Sequence, residues 1–200
     1  MQPDAIYQLL RNLTSPIVAI TSERDGKRNG MISDSAMRAS IAPTVPRLSV
    51  YVHKFNLSHD MIFDTGRFVL HLVRTDQFEL VHRLGFVSGR VRDKLADIPH
   101  HLGLLGAPVL DDCYAHFECR VVNVMDTGSS TCFLSDVGEV GFGRAGGGAP
   151  RGEVMTAAYF RANLPAEWRR EYEEGLKTAQ RYAAERSREI RAVVWRGLKT

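Results

Sequence analysis

The chain has 200 residues, 44% of them hydrophobic, and a formal net charge of +3. This length corresponds to about one to one and a half domains with a buried core. The small charge surplus gives no argument for a nucleic-acid partner, and no run of about 18 apolar residues predicts a membrane span. No secretory signal is evident at the N-terminus. We therefore expect a cytoplasmic protein without nucleic-acid or membrane partners.

Cysteine usage agrees with that compartment. Cys113, Cys119 and Cys132 are odd in number and lack C-x-x-C spacing. Such a pattern predicts neither a disulfide framework nor a zinc site. We expect reduced and mostly buried thiols.

A hairpin is the first element that the sequence predicts. Residues 15–33 form two strand-like runs around Asp25-Gly26, a dipeptide that favours a two-residue hairpin turn. A further strand is predicted over residues 47–54, just after Pro46. The polar, small-residue segment 26–40, which includes the second strand of this hairpin, suits either an exposed connection or a main chain that approaches a ligand.

Two short helices are predicted around the next strand. The first begins near Asn56 or Ser58 and stops at Gly66. The strand follows over residues 67–73. The second helix covers residues 75–85, with Thr75 as its cap.

The second half of the chain predicts another hairpin. Strands over residues 113–126 and 131–142 flank the turn DTGSS. The glycine-rich segment 143–152 predicts no regular structure, and residues 154–160 predict a strand.

The last forty residues differ in character, because they predict one long amphipathic helix over residues 163–195 with Asn163 as a possible cap. Apolar residues recur along it at spacings of three, four or seven. They are Trp168, Tyr172, Leu176, Ala179, Ala183 and Ile190. We expect a first domain over residues 1–160 and a C-terminal helical extension over residues 161–200.

The order of elements predicts a fold that is mainly β with some α. Many hairpin-connected strands with short inserted helices favour a closed or partly closed β-barrel. The strict alternation of strands and helices that a doubly wound sheet requires is missing. The predicted architecture is a split β-barrel with short inserted helices and a long C-terminal helix.

No motif in the chain indicates a catalytic residue or a metal ligand. Gly141, Gly143 and Gly146 match G-x-G-x-x-G, but the residues that follow cannot start the helix that a dinucleotide fingerprint needs. His100 and His101 lack a matching carboxylate cluster. A chain without a catalytic constellation suits a protein whose cofactor carries the reaction.

Four segments in a fixed order resemble the flavin reductase-like family of FMN-binding split barrels. They are PIVAITSERDGKRNGMISDSAMRAS, LSVYVHKFNLSHDMI, GRFVLHLVRTDQFELVHRLG and SGRVRDK, and the match runs over about residues 14–142. The resemblance implies a homodimer that holds FMN, or alternatively FAD, at the subunit interface. It further implies reduction of that flavin by NAD(P)H and a flavin-dependent monooxygenase as a possible partner.

The resemblance also implies which residues bind the flavin. The first segment would line the ring and the ribityl chain with main-chain N–H groups, and a glycine within it would allow a close approach. The second flavin segment, residues 53–58, and the third, residues 90–94 within SGRVRDK, offer cations and hydroxyls for a phosphate. The first segment comprises Asn29, Gly30, Met31, Ile32, Ser33, Asp34 and Ser35; the others supply His53, Lys54, Asn56, Ser58, Arg90 and Lys94, and Tyr159 is a further aromatic candidate.

One departure from the family pattern leaves the function open. The family commonly carries Gly-Asp-His-Thr in the turn where this chain has Gly128-Ser-Ser-Thr131. Loss of the histidine associated with the nicotinamide side favours an alternative, a flavin-binding electron carrier that does not oxidise NAD(P)H efficiently. A barrel that has lost flavin and binds another ligand is the third hypothesis.

Overall fold

The computed structural model describes residues 3–13, 15–147 and 149–195. Within them it contains five α-helices, nine β-strands and a short 3₁₀ turn at Arg144–Gly146. The helices are α1 (Pro3–Leu10), α2 (Leu57–Thr65), α3 (Phe78–Gly85), α4 (Ala157–Asn163) and α5 (Ala166–Arg186). The strands are β1 (Val18–Arg24), β2 (Lys27–Ser33), β3 (Ala36–Arg38), β4 (Arg47–His53), β5 (Arg67–Leu72), β6 (His100–Leu102), β7 (Pro108–Leu110), β8 (Ala115–Asp126) and β9 (Ser130–Phe142).

The predicted first hairpin is confirmed. Arg24 pairs with Lys27 across a two-residue turn, and the antiparallel register runs on to Val18 and Ser33. Asp25 and Gly26 have φ values of 53° and 78°. Positive φ at both central residues is the geometry of a type I′ turn, which matches the twist of the flanking strands.

Seven strands form one antiparallel sheet in the order β2-β1-β5-β8-β9-β4-β3. Its two edge strands, β2 and β3, are neighbours in the chain, joined by Asp34 and Ser35. The Ser35 carbonyl accepts a hydrogen bond from the Tyr51 N–H of β4 at 3.3 Å. The sheet therefore curls until its edges meet at this joint, which confirms the predicted split barrel.

Two apolar clusters stabilise the molecule. The first fills the inside of the curled sheet, where Ile20, Val50, Phe68 and Phe133 are fully buried and helix α2 adds Ile62. The second lies between the sheet and the helices α3 and α4, and its large side chains include Leu84, Met155 and Phe160. Burial of apolar side chains on both sides of β1 explains why its burial pattern is continuous rather than alternating.

Helix α2 ends as predicted, but helix α3 does not begin as predicted. Gly66 closes α2 in the left-handed conformation at φ 65°. Thr75 does not cap α3, because its N–H donates to the Glu153 carbonyl at 2.9 Å and the helix begins only after Gln77. The bridge between Arg74 and Val154 and the turn that follows it, in which the Gln77 N–H donates to the Arg74 carbonyl at 3.1 Å, delay the start of the helix to Phe78.

The second predicted hairpin is also confirmed, whereas the predicted strand over residues 154–160 is wrong in its second half. Val154 and Thr156 form only isolated bridges, to Arg74 and Pro16. The Thr156 hydroxyl then accepts a hydrogen bond from the Tyr159 N–H at 3.1 Å and so caps helix α4. An N-cap threonine before helix-forming residues outweighed the β-branched start of the segment.

The long C-terminal helix is shorter than predicted. Asn163 closes α4 rather than capping α5, and α5 runs only from Ala166 to Arg186. Its apolar stripe is half-buried, and no residue of α5 is fully buried. The expected domain boundary at residue 160 falls inside α4. The expected extension includes residues 196–200, which lie outside the described residues, so the two-domain division stays a prediction.

No described helix combines the length and the apolar character that a membrane crossing requires.

Candidate functional site

A gap opens in the barrel between β2 and β4. Below the Asp34–Ser35 joint, no strand pairing links β2 to β4 in the part of the chain that the structure describes. The outer edge of β2 therefore presents main-chain N–H and C=O groups that the sheet does not use. Asn29 to Ser33 span four residue steps, about 13 Å of strand edge. The first two predicted flavin segments thus stand on opposite sides of this gap.

The lower end of the gap brings together all three predicted segments. The Asn29 side-chain amide donates to the Ser58 hydroxyl at 2.8 Å, which joins β2 to the first turn of α2. A Cβ atom on Gly89 would lie 1.9 Å from Asn29 Oδ1, so only glycine lets the 88–94 loop approach this closely. Asn29 and Ser58 are both buried.

Side chains of the first segment pack inward rather than toward the gap. A Cβ atom on Gly30 would lie 2.8 Å from Leu84 Cδ2, so this glycine serves the packing of α3. Met31 belongs to the barrel core, and Ile32 packs against the second cluster. The contribution that this segment can make to a ligand is therefore its main chain, as predicted, together with the hydroxyls at its end.

The hydroxyls of Ser33 and Ser35 lie at the joint. They are 2.9 Å apart, and Ser35 Oγ also donates to the Tyr51 carbonyl at 3.1 Å. Asp34, between them, is exposed. The joint is thus held by side-chain hydrogen bonds and leaves one carboxylate at the upper end of the gap.

The N-terminus of α2 points to the lower end of the gap without a side-chain cap. Asn56 precedes α2 in an extended conformation and its side chain makes no capping hydrogen bond. The His59 N–H donates to the Asn56 carbonyl at 3.0 Å, so the N–H groups of Leu57 and Ser58 and the helix dipole are the part of this terminus that can meet an anion. Ser58 does not serve as the cap that the sequence allowed, since its hydroxyl binds Asn29.

Lys54 lies beside this helix end and is held by a residue that the sequence analysis missed. Its ammonium donates to Asp126 Oδ1 at 2.6 Å. Asp126 is only 6% exposed and also accepts hydrogen bonds from the Gly128 N–H at 2.8 Å and the Arg191 N–H at 3.2 Å. Burial raises the pKa of Asp126, but these donors outweigh it and hold the pKa below its usual value.

Arg90 comes from the third segment and reaches the first turn of α2. Its guanidinium donates to Asp60 Oδ2 at 2.7 Å. His59 contacts the same carboxylate at 3.2 Å and Thr131 Oγ1 at 2.9 Å. Burial is the main cause that lowers the pKa of His59, so its ring is neutral near pH 7. This ion pair lies at a half-exposed surface beside the N-terminus of α2.

The remaining predicted residues have different surroundings. Lys94 is 5% exposed and donates to the Leu84 carbonyl at 2.6 Å, near the C-terminal end of α3. Burial lowers the pKa of Lys94 to about 8. His53 contacts Ser130 Oγ at 3.0 Å and stacks on Phe55. Tyr159 lies on α4 beside Phe78, and no contact within the described chain joins it to the gap.

Taken together, these groups suit a planar ligand that carries an anionic tail. Unpaired main-chain groups run along one strand edge, and an uncapped helix N-terminus, a lysine and an arginine meet at its lower end. Carbonyl and ring-nitrogen acceptors of a planar ligand match the main-chain N–H groups of the strand edge. A phosphate matches the helix N-terminus with its lysine and arginine. The donor set therefore fits a flavin mononucleotide moiety.

The curled antiparallel sheet and its gap define a split-barrel protein. The chain belongs to the flavin reductase like domain family, whose sequence profile matches residues 10–166. The expected family resemblance is thereby confirmed.

Individual relatives support this membership. The chain is 30% identical over 153 residues to the high molecular weight rubredoxin of Moorella thermoacetica, covering 76% of this chain and 63% of that one. It therefore spans less than two thirds of that relative. It is 27% identical over 139 residues to the reductase component of a 4-nitrophenol monooxygenase from Rhodococcus opacus, covering 70% of each chain. Among solved structures, an FMN-binding protein from Thermus thermophilus aligns with a TM-score of 0.59 and 27% identity over 64% of this chain and 71% of that one.

Proposed function

We propose that this protein is a flavin-binding oxidoreductase that holds FMN, or alternatively FAD, in the gap between β2 and β4. The observation that carries the proposal is the meeting of three separate chain segments at the lower end of the gap. Asn29, Ser58 and Gly89 are in direct contact there, beside an uncapped helix N-terminus. Membership of the flavin reductase like family supports the same ligand class.

In this proposal the phosphate binds at the N-terminus of α2. Its first N–H groups, the Lys54 ammonium and the Arg90 guanidinium supply charge-assisted hydrogen bonds. The ring lies along the outer edge of β2, where main-chain groups from Asn29 to Ser33 face its polar edge. This edge is preorganised because Asn29 and the Ser33–Ser35 pair fix its two ends.

A bound flavin supplies hydride and electron chemistry, so the chain itself needs no nucleophile and no general base. We infer that NAD(P)H is the electron donor and that the reduced flavin serves a partner monooxygenase in the cytoplasm. The relative from Rhodococcus opacus, named as the reductase component of such an enzyme, supports that partner class. The residues of the gap bind the flavin and exclude water from one of its faces.

One observation favours the alternative function, an electron carrier that binds its flavin tightly and does not oxidise NAD(P)H efficiently. The β8–β9 turn, where the family pattern has a histidine, is covered by the chain itself: a Cβ atom on Gly128 would lie 2.6 Å from Ser187 Cα. Ser187 Oγ also donates to Ser129 Oγ at 3.4 Å. A nicotinamide ring has less room beside a turn that is covered in this way.

Titration of the purified protein with FMN and with riboflavin tests the proposal. Lys54→Met and Arg90→Ala each remove a charge-assisted hydrogen bond, so we expect about 10-fold to 100-fold weaker FMN binding. Riboflavin, which lacks the phosphate, should lose little. Arg92→Ala, an exposed arginine of the same loop, is the matched control and should bind FMN like the wild type.

Anaerobic mixing of the flavin-loaded protein with NADH or NADPH separates the two functions. Rapid bleaching of the visible flavin band supports the reductase, and an unchanged band supports the carrier. A wild-type protein that binds neither FMN nor riboflavin contradicts the proposal as a whole.

We further propose that two copies of the chain form a homodimer through the face around β3, β4 and β9. A cavity of about 350 Å³ on this face is lined mainly by apolar residues, among them Pro43, Leu48 and Val137. Ile41 and Val140, at its rim, are 87% and 53% exposed. A contiguous apolar patch of this kind is typical of a protein interface.

A further inference from the structure

Helix α5 has one anchor on each side of the gap. Near its start, the Trp168 ring stacks on His82 of α3, with centroids 4.4 Å apart and planes 16° apart. Near its end, the Tyr182 ring meets Phe55 edge-on at 5.2 Å. Helix α3 packs on β2, and Phe55 follows β4 directly. The helix therefore starts on the β2 side and finishes on the β4 side.

The first half of α5 also lies close to the joint that closes the barrel. Tyr172 contacts Phe86 and Phe160, with ring centroids 6.0 and 5.6 Å away. Burial raises the pKa of Tyr172, and the exposed Asp34 carboxylate is near enough to raise it further. The same carboxylate acts on the ring of His53 across the gap, where it opposes the lowering of that pKa by burial. Asp34 is thus within electrostatic range of both α5 and the end of β4.

The segment after α5 is fastened on the β4 side by three further contacts. The backbone of Arg186 and Ser187 lies against Gly128, and the Arg191 N–H donates to the buried Asp126 at 3.2 Å. The Trp195 ring meets Phe63 of α2 edge-on at 5.8 Å. Trp168 and Tyr172 pack against the cluster beside α3, whereas Val193 and Trp195 pack against the barrel core. The C-terminal extension therefore connects the two apolar clusters across the gap.

Leu176 and Ala179 lie on the apolar stripe of α5 between these anchors. Both are half-buried, although neither belongs to an apolar cluster of the described chain. The neighbouring Lys177 and Thr178, on the opposite side of the helix, are exposed. The two side chains thus lie between an anchor on the β2 side of the gap and an anchor on its β4 side.

We propose that α5 forms the roof of the flavin site and that Leu176 contacts the ring system of the flavin, with Ala179 beside it. The inference rests on the proposed flavin function and adds residues to that site. The family match ends at residue 166, where α5 begins, so the roof lies outside the matched region. Apolar side chains over one ring face exclude water and restrict which second planar substrate reaches the flavin from that side.

Flavin titrations of the full-length chain test the roof. Leu176→Glu places a charge over the ring, and we expect FMN and riboflavin to bind about tenfold more weakly, by equal factors, because the contact is to the ring and not to the phosphate. Leu176→Ala keeps a strong helix former at this position and should weaken both ligands in the same direction. In Leu176→Ala, iodide should quench the bound flavin more strongly than in the wild type. The matched controls are Thr178→Glu and Lys177→Ala, which change the exposed side of the same helix and should bind both ligands like the wild type.

The outcomes separate this inference from the proposed function. In one outcome, the wild type binds flavin while both Leu176 variants keep its affinities and its iodide quenching. That outcome overturns the roof and leaves the proposed function intact. Equal losses in the Leu176 variants and in the controls also overturn it, since they would reflect a general loosening of α5. Absence of flavin binding by the wild type overturns the proposed function and the roof together. Should Leu176→Glu lose helix content by circular dichroism, Leu176→Ala decides.

Discussion

At the scale of single residues, the positions that most resemble ligand contacts in the sequence are partly structural. Asn29 and Ser58 are buried against each other, Gly30 makes room for Leu84, and Lys94 binds the end of α3. These residue types are typical of ligand contacts, but the local sequence does not indicate which neighbour each side chain meets. Distances across 29 positions of chain, as between Asn29 and Ser58, are set by the tertiary fold.

His71 illustrates a buried histidine with a structural role. Its Nε2 accepts the Leu110 N–H at 3.0 Å, so its Nδ1 carries the proton and donates to the Ala19 carbonyl at 3.2 Å. Burial lowers the pKa of His71 to about 3. The neutral ring thereby ties β1 to β7 through two hydrogen bonds.

We predict that His71→Leu destabilises the protein by about 2 to 4 kcal/mol at pH 7, because two buried backbone groups lose their partner. A folded-state pKa below the unfolded value means that stability is lost as the pH falls below about 6.5. The wild type should therefore lose about 2 kcal/mol from this residue between pH 7 and pH 5, and the variant should not. Urea unfolding at both pH values measures the difference in free energy of unfolding between the wild type and His71→Leu. This difference should be smaller at pH 5 than at pH 7.

Val69→Ala, which removes buried methyl groups from the same strand and changes no titratable group, is the control. Its difference from the wild type should stay constant between the two pH values. A constant difference for His71→Leu as well would show that His71 is not held neutral in the folded state.

At the scale of elements, the two hairpins and the first inserted helix were predictable because their signals are local. Asp25-Gly26 fixes a type I′ turn and Gly66 fixes a helix end, each through its own backbone conformation. The start of α3, the helical turn after Thr156 and the end of α5 were not predictable in this way. Thr75 binds Glu153, and Ser187 packs against Gly128, so distant segments decide those boundaries.

Helix α5 contains a glycine at its centre that limits its stability. A Cβ atom on Gly175 would meet no atom of a neighbouring segment within 4 Å, so a methyl group fits there. We predict that Gly175→Ala stabilises α5 by about 1 kcal/mol, because alanine loses less backbone entropy in a helix. Amide hydrogen exchange along α5 should slow by roughly fivefold.

Gly147→Ala provides the contrast. This glycine also has free space around it, but its φ is +75°. An alanine there is strained, so the same methyl group should destabilise the protein. Equal effects of both substitutions on stability would contradict the assignment of the Gly175 effect to helix propensity.

At the scale of the whole molecule, the described chain has one side dedicated to the gap and another that exposes apolar surface. In the proposed arrangement helix α5 covers the gap side, whereas Ile41 and Val140 remain exposed around the cavity between β3, β4 and β9. The overall barrel followed from the sequence, since hairpin order restricts the topology. The relation between its two faces did not, because amphipathic patterns show which residues are apolar but not which surfaces another molecule covers.

We predict that Ile41→Glu shifts the protein from dimer to monomer, since a carboxylate in the apolar patch must lose its hydration on association. Sedimentation velocity across a range of concentrations measures this shift. Leu13→Glu changes an 83% exposed leucine outside the patch and should leave the dimer intact. A wild type that sediments as a monomer at all concentrations contradicts the homodimer.

The joint at Asp34 and Ser35 has a consequence for how the chain folds. Because the two sheet edges are sequence neighbours, bringing them together encloses almost no loop and costs little chain entropy. Pairing of β4 with β9 joins Arg47 to Asp136 and His53 to Ser130, and so encloses most of the barrel sequence. We therefore expect the kinetic barrier to fall on this long-range docking step rather than on the closing of the seam.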